Sequence, residues 1–504
     1  MSWNEIPEHL EGAARAGALN RREFLRRSAM TAGVGLTAAA TLTPGQVLAQ
    51  LSKTTATSVP LGADMGIDHF VILMMENRSF DHYFGWLDPE LADASQHQTY
   101  ADASGTQFQT RHAKAIVPDA EWQGCGFGDP GHGWAAGRAQ LQRGFMGEGS
   151  GNDEFALSYF DKGDLGFIHA AAEKFNVYDK YFCSVLGPTW PNRYYKWSAQ
   201  SGGKKNNTPP LDTAGNQWDT IFDKALRERP NDVSCRYYNS DLPFSAVWGA
   251  RGAAWTSPIA EYYADCALGT LPNITIVDPP FRDGGGFDGN SADEHPLGDV
   301  RLGQAFMADV AHAFLNSPNF KRGALFIIYD EWGGFFDHVT PPKVADDRAS
   351  ADLNEDFGQM GFRTPAVALS PYTLGAGVSH VGPLGHESIL KLIRQRFALT
   401  PLGKRDEMAV SIGESFDWSI DPDQVEVPDL PDPSHIVSRS CAMGGGDVIS
   451  DDGTHAGDMD GLEELAHRFK IKVGNGKPHE IFREPTKVQA ALAASSPALR
   501  PGRP

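Results

Sequence analysis

Several short runs along the chain are apolar on both faces, without a regular alternation between hydrophobic and polar side chains. A strand that is covered on both faces has this pattern, which is typical of the interior of a parallel sheet. The pattern predicts strands at IDHFVILM (67–74), ITIVD (274–278), ALFIIYD (324–330) and PAVALS (365–370), and a further strand at VYDKYFCSV (177–185).

Other stretches carry hydrophobic residues at every third or fourth position, which is the spacing of an amphipathic helix. Such helices are predicted in NQWDTIFDKALRERP (216–230), RLGQAFMADVAHAFLNSP (301–318) and HESILKLIRQRFAL (386–399). Strands that alternate with covering helices predict the α/β class. We therefore expect a central, mostly parallel sheet flanked by helices.

Two long segments show little periodicity of either kind. Residues 88–151 are rich in Gly, Gln, His and Asp, and residues 421–455 are rich in Pro, Asp and Gly. We interpret both as long loop insertions that run over the surface of the core. The predicted organisation is one domain over residues 50–504, with a core at about 65–400 and a C-terminal extension at about 401–504.

The N-terminus has the pattern of a targeting segment. NRREFLRR (20–27) precedes the weakly apolar run SAMTAGVGLTAAATL, and a small-residue cleavage site follows near Ala49. This resembles a twin-arginine export signal, so residues 1–49 are expected to address the folded protein to the twin-arginine export machinery. The run is too short and too rich in Ala, Gly and Thr for a stable transmembrane anchor. A periplasmic, cell-surface or secreted protein is expected; a disordered basic tail is the alternative.

The amino-acid composition limits the kinds of partner that the protein is expected to bind. The 504 residues contain 44 Lys and Arg against 64 Asp and Glu, a formal net charge of -20. This charge repels nucleic-acid backbones and anionic membrane surfaces, so no nucleic-acid partner is expected. The five cysteines have no CxxC spacing, and their odd number leaves at least one without an intrachain partner.

Potential metal ligands follow two of the predicted strands. FVILMM runs into Glu76 and Asn77, and LFIIY runs into Asp330 and Glu331. If the two strands are parallel neighbours, their carboxyl ends face the same crevice. Grouped carboxylates repel one another unless a cation neutralises them, so the pattern predicts a divalent metal ion. Oxygen ligands with histidines nearby suit Mg, Mn, Ca, Fe or Zn, and the sequence leaves identity and number open.

Thr189 follows a predicted strand and a Gly-Pro turn, and a predicted helix begins at Trp190. A helix N-terminus favours a bound phosphoryl group, and metal coordination lowers a hydroxyl pKa toward that of a nucleophile. A threonine at this position is also a common N-cap. The residues alone leave both interpretations open.

Four long motifs occur in order along the chain: ENRSFDHYFG (76–85), GPTWPNRYY (187–195), DEHP (293–296) and YDEWGGFFDHVTPP (329–342). They resemble the bacterial phosphoesterase family that contains phospholipases C and an acid phosphatase. The matching blocks extend from about Ile67 to about Phe397. The resemblance implies an alkaline-phosphatase-like fold and hydrolysis of phosphate esters through a covalent phospho-threonine. It also implies a metal site formed by Glu76, Asn77, Thr189, Asp330 and Glu331, with Thr189 as the nucleophile.

The resemblance further implies that His132, in DPGHGW, and His295, in DEHP, line the site. A histidine can donate a hydrogen bond to the phosphoryl group or protonate the leaving alcohol. His338 has a comparable claim to a catalytic role, whereas His82 is expected just outside the site as a support for the first ligand strand. The acidic pair before His295, Asp293 and Glu294, is expected either to orient that imidazole or to be solvated.

The expected substrate is a phosphodiester, which corresponds to a phospholipase C acting on a phospholipid. An acid phosphatase acting on phosphomonoesters is the first alternative, and a non-catalytic exported protein that binds a metal or ligand is the second. GGGFDG (284–289) is not followed by a predicted helix, which favours a flexible loop over a dinucleotide site. No GxSxG or HExxH motif occurs, which argues against an ordinary serine esterase or a zincin.

Overall fold

The computed structural model of the chain describes residues 59–87, 96–118, 122–210, 214–281, 291–433, 436, 438, 459 and 461–474. By its contacts the chain divides into Met1–Val59 and Pro60–Pro504, and every element below lies in the second part. The predicted export signal at 1–49 and the GGGFDG run at 284–289 lie outside the described residues. Among the helices within those ranges, none is long and apolar enough to cross a membrane.

The strands form one large sheet and two small pairs. Their bounds are β1 (His69–Met75), β2 (Thr99–Ala101), β3 (Gln107–Gln109), β4 (Arg111–His112), β5 (Ser158–Tyr159), β6 (Asn176–Tyr178), β7 (Cys235–Asn239), β8 (Thr256–Pro258), β9 (Ile274–Asp278), β10 (Gly323–Tyr329), β11 (Ala366–Leu369) and β12 (Gly377–Ser379). The large sheet has eight strands in the order β12-β6-β11-β10-β1-β9-β7-β8. The small pairs are β2 with β3 and β4 with β5.

The helices alternate with the strands along much of the chain, as expected for the α/β class. Their bounds are α1 (Phe80–Phe84), α2 (Ala113–Ile116), α3 (Trp134–Arg143), α4 (Gly166–Lys174), α5 (Thr189–Ser198), α6 (Ile221–Glu228), α7 (Ala250–Trp255), α8 (Ile259–Leu268), α9 (Val300–Leu315), α10 (His386–Phe397), α11 (Lys404–Met408) and α12 (Leu462–Arg468). The three predicted amphipathic helices correspond to α6, α9 and α10.

Apolar layers cover both faces of the sheet, which explains why its central strands lack alternation. On one face, Leu73 and Ile327 belong to the same buried cluster as residues of α4, α8 and α9. On the other face, Phe70 meets Phe397 of α10 with ring centroids 5.9 Å apart. Strands buried in this way retain apolar side chains at every position.

The central strands β10, β1, β9, β7 and β8 are all parallel, but β11 runs antiparallel to both of its neighbours. The prediction that PAVALS belongs to a parallel arrangement is therefore wrong in direction. A parallel connection needs a crossover that returns the chain to the starting edge of the sheet. Between β10 and β11, whose intervening residues are all described, the chain forms one 3-10 turn at Leu353–Glu355 and no such crossover. It remains at the carboxyl edge and re-enters the sheet from there.

Two other predicted segments differ from the structure. The strand predicted at 177–185 is shorter, because β6 ends at Tyr178 and single bridges at Tyr181 and Phe182 replace a continuous ladder. The predicted insertion at 88–151 contains α3, whose Gln140 accepts a hydrogen bond from the Trp332 indole at 2.8 Å. Part of this insertion is therefore built into the core.

Candidate active site

The two predicted ligand strands are parallel neighbours, as the ligand pattern required. In the β1–β10 pair, Met75 lies opposite Tyr329, and the Asp330 amide donates to the Met75 carbonyl at 3.1 Å. The backbone amide of Asn77 donates to Asp330 Oδ1 at 3.2 Å. This register places Glu76 and Asn77 beside Asp330 and Glu331 at one sheet edge, and all four side chains are buried. The predicted meeting of the two strand ends is confirmed.

Thr189 is the first residue of α5, and Pro188 occupies the N-cap without a side-chain capping bond. The N-cap interpretation of Thr189 is therefore wrong. Its buried hydroxyl donates instead to Glu76 Oε2 at 3.4 Å. The side-chain amide of Asn192 stabilises the turn before α5 by donating to the Gly187 carbonyl at 2.8 Å. The nucleophile candidate thus lies at a helix N-terminus and contacts a predicted metal ligand.

A buried network of charges behind Thr189 was missed from the sequence. Arg193 donates from Nε to Glu76 Oε1 at 2.8 Å and from Nη1 to Asp278 Oδ1 at 2.9 Å. Lys196 donates to the same Asp278 oxygen at 3.1 Å, and the Tyr237 hydroxyl donates to Asp278 Oδ2 at 2.8 Å. Two signals were available: the four-residue spacing of Thr189 and Arg193 on a predicted helix, and the acidic end of ITIVD.

His132 and His295 lie beside each other, with ring centroids 5.8 Å apart. The His132 Nδ1 atom lies 2.7 Å from the Pro130 carbonyl, which can only accept, so Nδ1 carries a proton. His295 Nε2 lies 3.8 Å from Asp129, which the sequence analysis did not select. Ligand atoms of Asp129, His132 and His295 lie within 4.8 Å of one another, which is close enough to hold a metal ion.

A tight glycine turn connects the loop of His132 with the ligand edge. Gly333 and Gly334 have φ angles of 62° and 71°. A Cβ on Gly333 would lie 2.1 Å from the Asn77 carbonyl oxygen, and one on Gly334 would lie 2.6 Å from the Gly131 carbonyl oxygen. Only glycine allows the two backbones to come so close at a positive φ angle. The turn therefore packs directly between the first ligand pair and the DPGHGW loop.

Asp293 joins the DEHP loop to the first ligand strand. Its carbonyl accepts the Glu76 amide at 2.8 Å, and its carboxylate accepts the His295 amide at 3.0 Å. Burial raises the pKa of Asp293. Because both Asp293 and Glu294 are buried, the expectation of a solvated acidic pair is wrong.

The Glu294 side chain points into a polar cluster beneath the site. Its carboxylate accepts from Tyr83 at 2.9 Å, from Gln304 at 2.9 Å and from Tyr329. Its carbonyl accepts Arg78 Nε at 2.8 Å. Burial raises the pKa of Glu294 to about 7, although the hydrogen bonds favour the charged form. Glu294 therefore anchors the loop that presents His295.

His82 is fully buried behind the ligand edge. Its Nδ1 atom contacts the Ser158 carbonyl at 2.6 Å, and its Nε2 atom lies 3.1 Å from Arg78 Nη1. Burial, assisted by the Arg78 charge, lowers the pKa of His82 well below its ordinary value. His82 thus contacts Arg78, the residue after Asn77, and its expected role as a support for the first ligand strand stays a prediction.

His338 belongs to a separate ion-pair cluster. Its Nδ1 atom lies 2.6 Å from Asp81, and Arg363 bonds Asp81 at 2.7 Å and Asp337 at 2.9 Å. Asp81, Asp337 and His338 are close enough together to hold a metal ion, but the Arg363 guanidinium already bonds both carboxylates. The contacts of His338 with Asp81 and Arg363 connect it with this cluster, and its predicted catalytic role stays a prediction.

His386, at the start of α10, supports the second ligand strand and was also missed. Its Nε2 atom donates to the Asp330 carbonyl at 2.8 Å, and the Tyr181 hydroxyl lies 3.0 Å from Nδ1. Burial lowers the pKa of His386 to about 3, so the ring is neutral. A neutral ring with Nε2 protonated accepts from Tyr181 and fixes the backbone of Asp330.

The donor set at the strand ends fits a divalent cation. Carboxylates, an amide and a hydroxyl are oxygen ligands of the kind that such ions bind. Four buried carboxylates, those of Glu76, Asp278, Asp330 and Glu331, share this region with the buried cations of Arg193 and Lys196. The excess of negative charge favours the binding of a further cation by this group.

The sequence of this chain is similar to those of known proteins from one family. A model of the phosphoesterase family matches residues 67–400. Non-specific phospholipase C1 of Arabidopsis thaliana is 31% identical over 389 residues, which cover 69% of this chain and 71% of that protein. Phospholipase C B of Mycobacterium tuberculosis is 29% identical over 404 residues, which cover 66% of this chain and 74% of that protein.

One solved structure, a protein in the alkaline phosphatase superfamily from Vibrio parahaemolyticus, matches at 9% identity with a TM-score of 0.35. The match covers 71% of this chain and 76% of that chain. The α/β class itself rests on the eight-stranded, mostly parallel sheet. Because the family model spans residues 67–400 and the relatives are aligned over about two thirds of the chain, this chain belongs to the phosphoesterase family and is a hydrolase of phosphate esters.

Proposed function

We propose that the protein hydrolyses phosphate esters in two steps, with Thr189 as the nucleophile and a phospho-threonine as the intermediate. The observation that carries this proposal is the position of the Thr189 hydroxyl. It lies at the N-terminus of α5, 3.4 Å from Glu76, where the two ligand-bearing strand ends meet. A helix N-terminus favours the anionic phosphoryl group, and an adjacent carboxylate orients the attacking hydroxyl.

In the first step, the Thr189 oxygen forms a bond to phosphorus while the bond from phosphorus to the leaving alcohol oxygen breaks. Thr189 gives up its proton to solvent water, and the leaving oxygen takes one up. His132 and His295 are suited to supply that proton, since a histidine titrates near neutral pH. In the second step, water attacks the phospho-threonine, the Thr189 oxygen leaves, and it regains a proton.

The residues that would hold the divalent ion in this proposal are Glu76, Asn77, Thr189, Asp330 and Glu331. A bound cation would neutralise the grouped carboxylates, lower the hydroxyl pKa and stabilise negative charge on the phosphoryl oxygens. Arg193 and Lys196 already balance part of the carboxylate charge from inside the protein. The rest of the carboxylate charge is left for the cation to balance.

We propose a phosphodiester of the phospholipid type as the substrate, so that the enzyme is a phospholipase C. The support is that the relatives aligned over about two thirds of the chain are named phospholipases C, from both a plant and a bacterium. A phosphomonoester is the alternative, because the nucleophile and the ligand group serve either ester.

Replacement of the nucleophile tests the two-step mechanism. Thr189→Ala removes the attacking oxygen, so kcat for 4-nitrophenyl phosphorylcholine should fall at least about 1,000-fold. Thr189→Ser keeps a hydroxyl and should remain within about tenfold of the unaltered protein. With this substrate, mass spectrometry of acid-quenched enzyme should find the peptide containing residue 189 with a phosphocholine group attached. Near-full turnover by Thr189→Ala would remove Thr189 from the mechanism.

Product analysis tests the substrate. With phosphatidylcholine vesicles, a phospholipase C breaks the bond between phosphorus and the glycerol oxygen, so diacylglycerol and phosphocholine should appear in equal amounts. Thin-layer chromatography and phosphate analysis measure the two products, and Thr189→Ala provides the background. Intact lipid together with rapid release of phosphate from 4-nitrophenyl phosphate would instead support a phosphomonoesterase.

Metal removal tests the ligand assignment. Prolonged dialysis against EDTA should abolish turnover and lower the melting temperature, because the grouped carboxylates then repel one another. Return of Mg²⁺, Mn²⁺, Ca²⁺, Fe²⁺ or Zn²⁺ should restore both properties, and Asp330→Asn should require more of the restoring ion. Unchanged turnover in protein shown to be metal-free by elemental analysis would contradict metal dependence.

We also propose that the twin-arginine segment exports the folded enzyme to the periplasm, the cell surface or the medium. The motif NRREFLRR with the weakly apolar run after it supports this proposal. Replacement of both Arg21 and Arg22 by Lys keeps the charge and should hold the full-length precursor in the cytoplasm. Fractionation and immunoblotting measure this distribution, with Arg26→Lys as the matched control. Undiminished export of the double variant would exclude the twin-arginine route.

A further inference from the structure

Arg193 connects the nucleophile helix with two strand ends. It lies one helical turn after Thr189 on α5 and is fully buried. Its guanidinium bonds Glu76 Oε1 through Nε at 2.8 Å and also through Nη2. The other Glu76 oxygen, Oε2, accepts the Thr189 hydroxyl. One carboxylate is thus held on one side by Arg193 and contacts the candidate nucleophile on the other.

The guanidinium also bonds a second carboxylate, through its other terminal nitrogen. Nη1 of Arg193 donates to Asp278 Oδ1 at 2.9 Å. Asp278 is itself held by Lys196 at 3.1 Å and by the Tyr237 hydroxyl at 2.8 Å, and all four side chains are buried. Because a guanidinium is planar and its donors have fixed directions, these contacts define the plane in which Arg193 lies. Arg193 cannot follow a movement of Glu76.

This arrangement has a consequence for the attacking oxygen. When one oxygen of a carboxylate accepts two hydrogen bonds from the same guanidinium, the direction of its second oxygen is restricted as well. The Thr189 hydroxyl depends on that second oxygen for its own orientation. In phosphoryl transfer, most of the catalysis comes from positioning and electrostatics, so a small displacement of the hydroxyl strongly reduces the rate.

We infer that Arg193 is a positioning residue for phosphoryl transfer, and that Asp278, held by Lys196 and Tyr237, fixes the Arg193 guanidinium so that Glu76 presents Oε2 to the Thr189 hydroxyl. This inference rests on the proposed function. It assigns a task to four buried side chains, those of Arg193, Asp278, Lys196 and Tyr237, that are not among the predicted metal ligands.

The neighbouring tyrosines of β7 provide a matched pair of variants. The Tyr237 hydroxyl donates to Asp278, and the Tyr238 hydroxyl donates to Asp265 Oδ2 at 2.6 Å. Both tyrosines are buried, and both hydroxyls bond an aspartate. Replacement by Phe removes one hydroxyl in either case, but only Tyr237→Phe affects the aspartate that holds Arg193.

The experiment measures kcat and KM for 4-nitrophenyl phosphorylcholine, with active sites counted by the burst of 4-nitrophenol. Arg193→Lys keeps the charge but loses the paired donors, so kcat per active site should fall about 100-fold while KM changes less than about threefold. Tyr237→Phe should lower kcat about three- to tenfold, and Tyr238→Phe should leave it within about twofold. Urea unfolding of each variant separates a loss of stability from a loss of rate.

Several results would overturn the inference. If Arg193→Lys keeps kcat per active site within twofold of the unaltered protein, Arg193 has no positioning role. If Arg193→Lys does not fold, the tyrosine pair decides, and equal rates for Tyr237→Phe and Tyr238→Phe reject the inference. Rejection of the inference leaves the proposed function standing as long as the unaltered protein turns over its substrate normally. If the unaltered protein forms no phospho-threonine, the proposed mechanism and this inference both fall.

Discussion

The in-register parallel pairing of β1 with β10 is the constraint on which the rest of the site depends. It places residue 76 beside residue 330 because Met75 lies opposite Tyr329 in the ladder. Side chains alternate between the two faces of a strand, so a slip of one residue would turn the ligands to the other face. The long apolar strands and the covering helices on both sides oppose such a slip. Core packing therefore determines the chemistry at the strand ends.

Burial of four carboxylates at one edge of the sheet has an electrostatic cost. Two buried cations inside the protein offset part of this cost. Arg193 and Lys196 reach the group from α5 and bond its inner members, Glu76 and Asp278. A buried charge is stable when it is paired and its remaining polar atoms are hydrogen-bonded. The same helix therefore carries the candidate nucleophile and the charges that stabilise its surroundings. Function and stability are coupled at this helix.

The sequence predicted the parts of the structure that have a local signature. Strands β1, β9 and β10 were recognisable from unbroken apolar runs, and the acidic residues after them identified the ligand edge. The role of Arg193 could not be predicted in this way, because its partners, Glu76 and Asp278, are distant in the sequence and meet only through the sheet. The direction of β11 depended on the absence of a crossover, which apolar content does not record. Asp129 and His386 likewise gain their positions from tertiary contacts.

The antiparallel entry of β11 has a consequence for how this protein can diversify. The chain leaves β10 at the ligand edge and comes back through β11 without passing to the far side of the sheet. The stretch between the Gly333–Gly334 turn and β11 therefore starts and ends at the same edge of the sheet as the ligand-bearing strand ends. Insertions or substitutions in that stretch can change the surface at this edge of the sheet without changing the pairing of the strands. Selectivity for different esters can evolve there independently of the scaffold.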